Sequence, residues 1–234
     1  MREPLVIAVA QPSCLPYDVA ANAVTHAEAV RAAEARVVVF PELSLTGYEL
    51  DAPAISADDP RLAPLIEACA ETGSLALAGA PVGGEAGRAY IAILAVDGTR
   101  ASVAYRKMWL GTEEAERFTA GDKPAVLQVD GWRLGLAVCK DTGVPEHAAD
   151  VAALGVDAYV AGTLKTPEES AVQDERARRV ATDHRVWVAV ASFAGSTGGG
   201  FSRAAGRSGI WASGGAVVTQ AGPEVGAIVR ATLQ

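Results

Sequence analysis

Cysteine is scarce in this chain. There are three in 234 residues, Cys14, Cys69 and Cys139, far apart and without CxxC spacing. That excludes a disulfide framework and a zinc signature, and fits a reducing, cytoplasmic setting. Histidine is equally rare, and His26, His147 and His184 make no metal-ligand pair. No metal site is expected. The lysines are four, Lys107, Lys123, Lys140 and Lys165, in a chain whose cations are mostly arginine. Lys107 therefore reads as a position that needs an ammonium. Positive charge is short overall, with 20 basic against 28 acidic side chains and a net charge of −8. Nucleic acid is not an expected partner, because phosphate binding needs a basic face. No apolar run reaches membrane-spanning length, so no membrane partner is expected. Met1-Arg-Glu-Pro-Leu5 enters a strand pattern directly, so no secretory leader is expected. The glycine-rich stretch Gly195–Gly200 lacks GxxxxGK[ST] and reads as a flexible loop, not a phosphate cradle. Fixed-period repeats and linker compositions are missing too, which makes one domain over residues 1–234 the simplest organisation.

What is present is a steady alternation of apolar strands and helices. Leu5–Ala10 and Arg36–Phe40 read as buried strands around an alanine-rich helix from about Asp18 to Ala35, with Ala20, Val24, Ala27 and Val30 or Arg31 at approximate helical spacing. That is a parallel crossover unit. A helix from Asp59-Pro60 to Glu71 leads to a strand at Ser74–Gly79. Arg88–Val96 and Ala101–Arg106 flank Asp97-Gly98, a hairpin signal whose tight turn uses positive φ, so the sheet is mixed. Leu134–Val138 is a strand behind the Asp130-Gly131 turn, and Pro145 opens a helix that ends at Gly155. Strands at 156–161, 185–192, 208–212, 216–219 and 225–230 and a helix from Thr166 to about Asp183 complete an α/β chain.

Three polar residues each end an apolar strand: Glu42, Lys107 and Cys139. Taken singly, each has an ordinary explanation. A cysteine is often a small buried hydrophobe, a glutamate behind Pro41 a helix-start carboxylate, a lysine an exposed cation. If their strands lie side by side and run the same way, the three side chains meet at one edge of a sheet. There each meets a need of the others. A thiol must lose its proton to attack, a partly dehydrated carboxylate can take it, and an ammonium can hold both thiolate and oxyanion.

The same residues lie in segments that resemble the carbon–nitrogen hydrolase (nitrilase) superfamily. Phe40-Pro41-Glu42-Leu43 with Thr46-Gly47-Tyr48 is similar to its glutamate motif. Tyr105-Arg106-Lys107 with Phe118 and Gly121-Asp122 is similar to its lysine motif. Gly135–Cys139 followed by Lys140-Asp141, Pro145-Glu146 and Gly155-Val156-Asp157 is similar to its cysteine motif. Gln11 and Gly206-Arg207-Ser208 extend the likeness over nearly the whole chain. The resemblance implies a four-layer α-β-β-α sandwich with two mixed sheets, paired into a homodimer or higher homo-oligomer. It implies hydrolysis of a nonpeptide C–N bond without a cofactor. Glu42 would be the general base, Lys107 the oxyanion stabiliser, Cys139 the nucleophile and the backbone N–H of Lys140 a second oxyanion donor. A further glutamate would be Glu114, with Glu113 and Glu116 as rivals. Tyr48, Glu113, Thr163 and Leu164 would line the substrate.

Some positions depart from the family pattern. Lys140 replaces an aromatic residue; turned inward, its ammonium would favour an acidic substrate, and turned away it would leave only its N–H in use. Asp183-His184 replaces a glutamate-asparagine pair, and the chain is short for the family. A small linear amide is the first substrate expected, with nitriles and N-carbamoyl amines as alternatives. Two other classes compete. An isochorismatase-like cysteine hydrolase would use a single parallel sheet, and a silent relative would bind a metabolite without turnover.

Overall fold

The computed structural model describes residues 2–84 and 87–234, leaving Met1, Glu85 and Ala86 outside the described residues. Strand β1 (Leu5–Ala10), helix α1 (Val19–Ala33), β2 (Val37–Val39), α2 (Ala63–Thr72), β3 (Leu75–Gly83), β4 (Ala89–Val96) and β5 (Ala101–Arg106) form the first half. A short helix α3 (Thr112–Ala115) leads into β6 (Val126–Val129), β7 (Trp132–Val138), α4 (Pro145–Ala153), β8 (Ala158–Thr163), α5 (Ser170–His184) and β9 (Trp187–Ser192). The two-residue strands β10 (Ala194–Gly195) and β11 (Ala204–Ala205) pair alone, before β12 (Gly209–Trp211), β13 (Val217–Gln220) and β14 (Ile228–Leu233).

Two six-stranded mixed sheets result, in the orders β14-β1-β2-β3-β4-β5 and β13-β12-β9-β8-β7-β6. Each has a parallel centre, β1-β2-β3 or β7-β8-β9, flanked by antiparallel strands. The central strands are buried on both faces and therefore read as unbroken apolar runs. In β1, Ile7 and Val9 face the other sheet, where β1 packs against β9, which carries Ala189 and Ala191. Ala8 and Ala10 face outward against Ala23, Ala27 and Val30 of α1. The second sheet repeats this, with Ala137, Tyr159 and Ala161 under α4 and α5. In β1 the larger side chains thus fill the space between sheets and the alanines let α1 approach. The layers are α-β-β-α, which rules out the single parallel sheet of the isochorismatase-like alternative.

Four readings of the sequence are corrected. The buried face of α1 is Val19, Ala23, Ala27 and Val30, not the face through Ala20 and Val24, and Val24 is 45% exposed. Strand β6 was hidden in a weak pattern before Asp130-Gly131, where both residues take positive φ (49° and 82°) and close a hairpin. At Asp97-Gly98 neither residue does. There the Asp97 carboxylate accepts from the N–H groups of Thr99 and Arg100 and holds a wider turn. Gly98 serves close packing instead, since a Cβ would stand 2.7 Å from the Cα of Ala70 on α2. The stretch 195–200 is not loose: Gly198 N–H and the Thr197 hydroxyl both donate to the carbonyl of Gly47. Among the described residues no helix is long and apolar enough to cross a membrane.

Candidate active site

Glu42, Lys107 and Cys139 do come together, but not at one edge of one sheet. Glu42 follows β2 and Lys107 follows β5 in the first sheet, while Cys139 follows β7 in the second. The cluster is assembled across the seam between the two sheets. Each element is fixed there by local chemistry. Lys107 N–H donates to Ile91 O and its carbonyl accepts from Gly121 N–H, so the residue is pinned on both sides. Cys139 takes φ 39°, a left-handed conformation that turns the strand into a 3-10 turn over Cys139–Gly143. Non-glycine residues in that region mark over-determined positions, often functional ones. The first N–H groups of such a turn, that of Lys140 among them, have no acceptor within it.

Glu42 is held in a slot. It lies between β3 and β8, where a Cβ on Gly79 would meet the Leu43 nitrogen at 2.3 Å and one on Gly162 the Glu42 nitrogen at 2.9 Å. Both obstacles are backbone, so neither can yield as a side chain would. Gly162→Ala is expected to push the Pro41-Glu42 peptide aside by a fraction of an ångström. Loss of kcat by about 10²-fold, measured as product release, is the scale for a misplaced catalytic group. An unchanged kcat would show that the segment can shift freely. Behind the slot, buried His26 accepts from the Ser44 hydroxyl at 2.8 Å while its other nitrogen donates to Asn22 O. Burial lowers its pKa to about 4, so it stays neutral.

The charges interlock. Lys107 Nζ donates to Glu42 Oε1 at 2.6 Å and to Glu114 Oε1 at 2.7 Å, all three side chains being buried. Of the three neighbouring glutamates only Glu114 reaches it; Glu113 and Glu116 are exposed. Glu114 Oε2 also accepts from Gly111 N–H at 2.6 Å, which fixes the carboxylate. The other oxygen of Glu42, Oε2, is buried and has no hydrogen-bond partner. Burial pushes the Glu42 pKa up, and the attraction of Lys107 offsets this only in part. The same carboxylates hold Lys107 protonated, well above the usual lysine range. Burial and the nearby Glu42 push the Cys139 thiol up despite Lys107 and Lys165. An ammonium beside a thiol lowers its pKa, but in this fold dehydration outweighs that attraction. Cys139 is 9% exposed, and its thiol points to the carbonyl of Leu164 at 3.7 Å.

The remaining expected residues divide. Tyr48 lines a cavity of about 560 Å³ together with Glu113, Glu114 and Phe201, and its hydroxyl is raised by burial and by the charge of Glu42. Leu164 touches the thiol through its backbone. Thr163 does not face the cluster: its hydroxyl donates to Gln173 Oε1 at 2.8 Å, toward α5. Lys140 is exposed, and its ammonium donates to Leu110 O at 2.6 Å. It is turned away, which removes the basis for an acidic substrate. Gln11 holds the sheets together, accepting from Ser208 N–H and donating to the carbonyls of Gly222 and Glu224. Asp183 is exposed on α5 and takes no part.

One group went unassigned in the sequence. Asp141 is fully buried and accepts from Val138 N–H, Trp109 N–H and the Tyr105 hydroxyl, at 2.9, 2.9 and 2.8 Å. Tyr105 and Trp109 flank Lys107, and Val138 precedes Cys139, so one carboxylate ties the lysine segment to the cysteine turn. His147 completes the network as a neutral ring, donating from Nε2 to Tyr105 and accepting at Nδ1 from Tyr159. A signal existed in the position of Asp141, three residues past the end of a buried strand. Asp141→Asn would set an amide N–H₂ against donors. A loss of about 2–4 kcal/mol in stability, read by urea unfolding, is expected together with a lower kcat. Wild-type stability in that variant would remove the tie.

The fold places the chain among α-β-β-α sandwiches built on two mixed six-stranded sheets. The chain belongs to the carbon–nitrogen hydrolase family, whose model matches residues 6–234. It is similar to a hydrolase in the pqqF 5' region of Pseudomonas protegens, 30% identical over 189 residues. That match covers 77% of this chain and 66% of the relative, just under two thirds of its length. An amidase from Nesterenkonia sp. is 25% identical with a TM-score of 0.86, over 98% of this chain and 90% of that one. A CN-hydrolase superfamily protein from Xanthomonas campestris, with an arsenic adduct in its active site, has a TM-score of 0.89. It is 19% identical over 99% of this chain and 91% of that one, a likeness of fold.

Proposed function

We propose that this chain hydrolyses a small amide to a carboxylic acid and ammonia or an amine, through a thioester on Cys139. The observation that carries this reading is the unpartnered oxygen of Glu42, buried beside a protonated thiol while the other oxygen is tied to Lys107. An oxygen so placed is a base awaiting a proton.

Glu42 takes the thiol proton as sulfur attacks the carbonyl carbon. The oxygen that gains charge is held by Lys107 and by the N–H of Lys140. Collapse breaks the C–N bond, and the leaving nitrogen takes the proton back from Glu42. Water then attacks the thioester with Glu42 as its base, and the departing sulfur is reprotonated from the same carboxyl. Glu114 keeps Lys107 oriented through both halves. Removing one oxyanion donor from such a site costs roughly 10²–10³ in rate.

The test is a panel of amides, nitriles and N-carbamoyl amines, followed by ammonia and carbon dioxide release. Amides turned over fastest support the proposal. Preference for nitriles would make the chain a nitrilase, and carbon dioxide release would make it a carbamoyl amidohydrolase. No turnover of any of them would favour a silent binding protein.

A further inference from the structure

The mouth of the site carries charge of one sign. The cavity of about 560 Å³ has Glu49, Asp51, Glu113 and Glu114 in its wall and neither lysine nor arginine. Glu114 is engaged by Lys107. Among the described residues none of the other three forms an ion pair. Asp51 accepts from the Tyr17 hydroxyl at 2.7 Å, a neutral partner. The cations of this neighbourhood are turned to backbone: Arg117 donates to the carbonyls of Leu50 and Ala52, and Lys140 to that of Leu110. Tyr17, Tyr48 and Phe201 supply aromatic surface, with Phe201 set edge-on to Tyr48 at 5.4 Å. Inward of Tyr48 and Glu114 lies the buried, unpartnered oxygen of Glu42. The cavity thus has an acidic, aromatic rim, and two residues of its wall, Tyr48 and Glu114, adjoin Glu42 and Lys107.

We propose that the substrate is an amide carrying a second, positively charged group, an ammonium or guanidinium, at the end remote from the scissile bond. Glu49, Asp51 and Glu113 hold that charge, and the ring of Tyr48 or Phe201 packs beside it. An anionic acyl chain meets three like charges at the same place and is rejected. This inference rests on the amidase reading of the same site and adds the substrate class to it.

The experiment compares three amides of similar length with the full chain: δ-aminovaleramide, hexanamide and glutaramate. At low salt kcat/KM should fall in that order. Each carboxylate within about 6 Å of the cation contributes roughly threefold to tenfold, so the first is favoured over the second by at least about tenfold. The ratio should shrink as salt is raised. In the triple variant Glu49→Gln, Asp51→Asn, Glu113→Gln the ratio should approach one. Hexanamide equal to or better than δ-aminovaleramide in the wild type overturns the proposal, and so does a ratio that survives in the triple variant. Calorimetric binding of the same three compounds to Cys139→Ala reads the preference without turnover. Tighter binding of the cationic amide supports the proposal even if the amidase reading fails; equal binding overturns it.

Discussion

Cys139→Ala should lose hydrolysis by at least about 10⁴-fold, on the scale seen when a nucleophile is removed from a covalent hydrolase. The thiol is the one group of the cluster whose chemistry no neighbour can replace. Lys107 is held as a cation by two carboxylates, and Glu42 has a base's free oxygen but no path to a covalent intermediate. Alanine at φ 39° keeps the same backbone constraint and removes only sulfur, so the fold should survive. Circular dichroism separates that from unfolding. Substrate mixed with wild type and quenched in acid should add one acyl group to Cys139 by mass, and none to the variant. Wild-type rates in Cys139→Ala would end the covalent scheme.

Lys107→Met should cost as much in stability as in rate. Methionine fills a similar volume, so packing changes little, but two buried carboxylates then face each other without a cation. Breaking a buried pair by removing one partner costs about 3–5 kcal/mol. The cost must depend on pH, and its sign is fixed. Burial already holds the folded pKa of Glu42 above its ordinary 4.5, even with Lys107 present. Without Lys107 it rises further. Between the unfolded and the folded value, the folded state binds the extra proton. Stability is therefore full below about 4.5 and falls as pH rises through the folded value. The melting temperature of the variant should be nearest to wild type around pH 5 and fall away toward pH 8. A deficit that does not vary with pH would mean that the lost ion pair is not its source. Hydrolysis should drop by at least the 10²–10³ of an oxyanion donor.

Much of the site could be read from sequence because polar residues that end apolar strands stand out. Glu42, Lys107 and Cys139 are all of that kind. Their meeting place was harder to read. Strands of both sheets are buried on two faces, so apolar periodicity says nothing about which sheet a strand joins. A single shared edge and a seam between two sheets give the same pattern, and only the family resemblance pointed to two sheets. Asp97-Gly98 shows another limit. The dipeptide signals a turn but not its type, because an aspartate side chain can close it without positive φ. Thr163 is expected at the substrate from the family resemblance alone, yet its hydroxyl turns to Gln173. Asp141 was overlooked, since a carboxylate beside a lysine in a turn looks solvated until three donors are seen to enclose it.

The backbone slot around Glu42 has a bearing on the order of events. With Gly79 on one side and Gly162 on the other, the peptide carrying Glu42 is closely confined in the native chain. Every proton must be delivered to one fixed spot. On the proposed mechanism the leaving amine and the incoming water would use the same berth in turn, the first vacating it before the second docks. An amine slow to depart will throttle the cycle however fast the bond was cut.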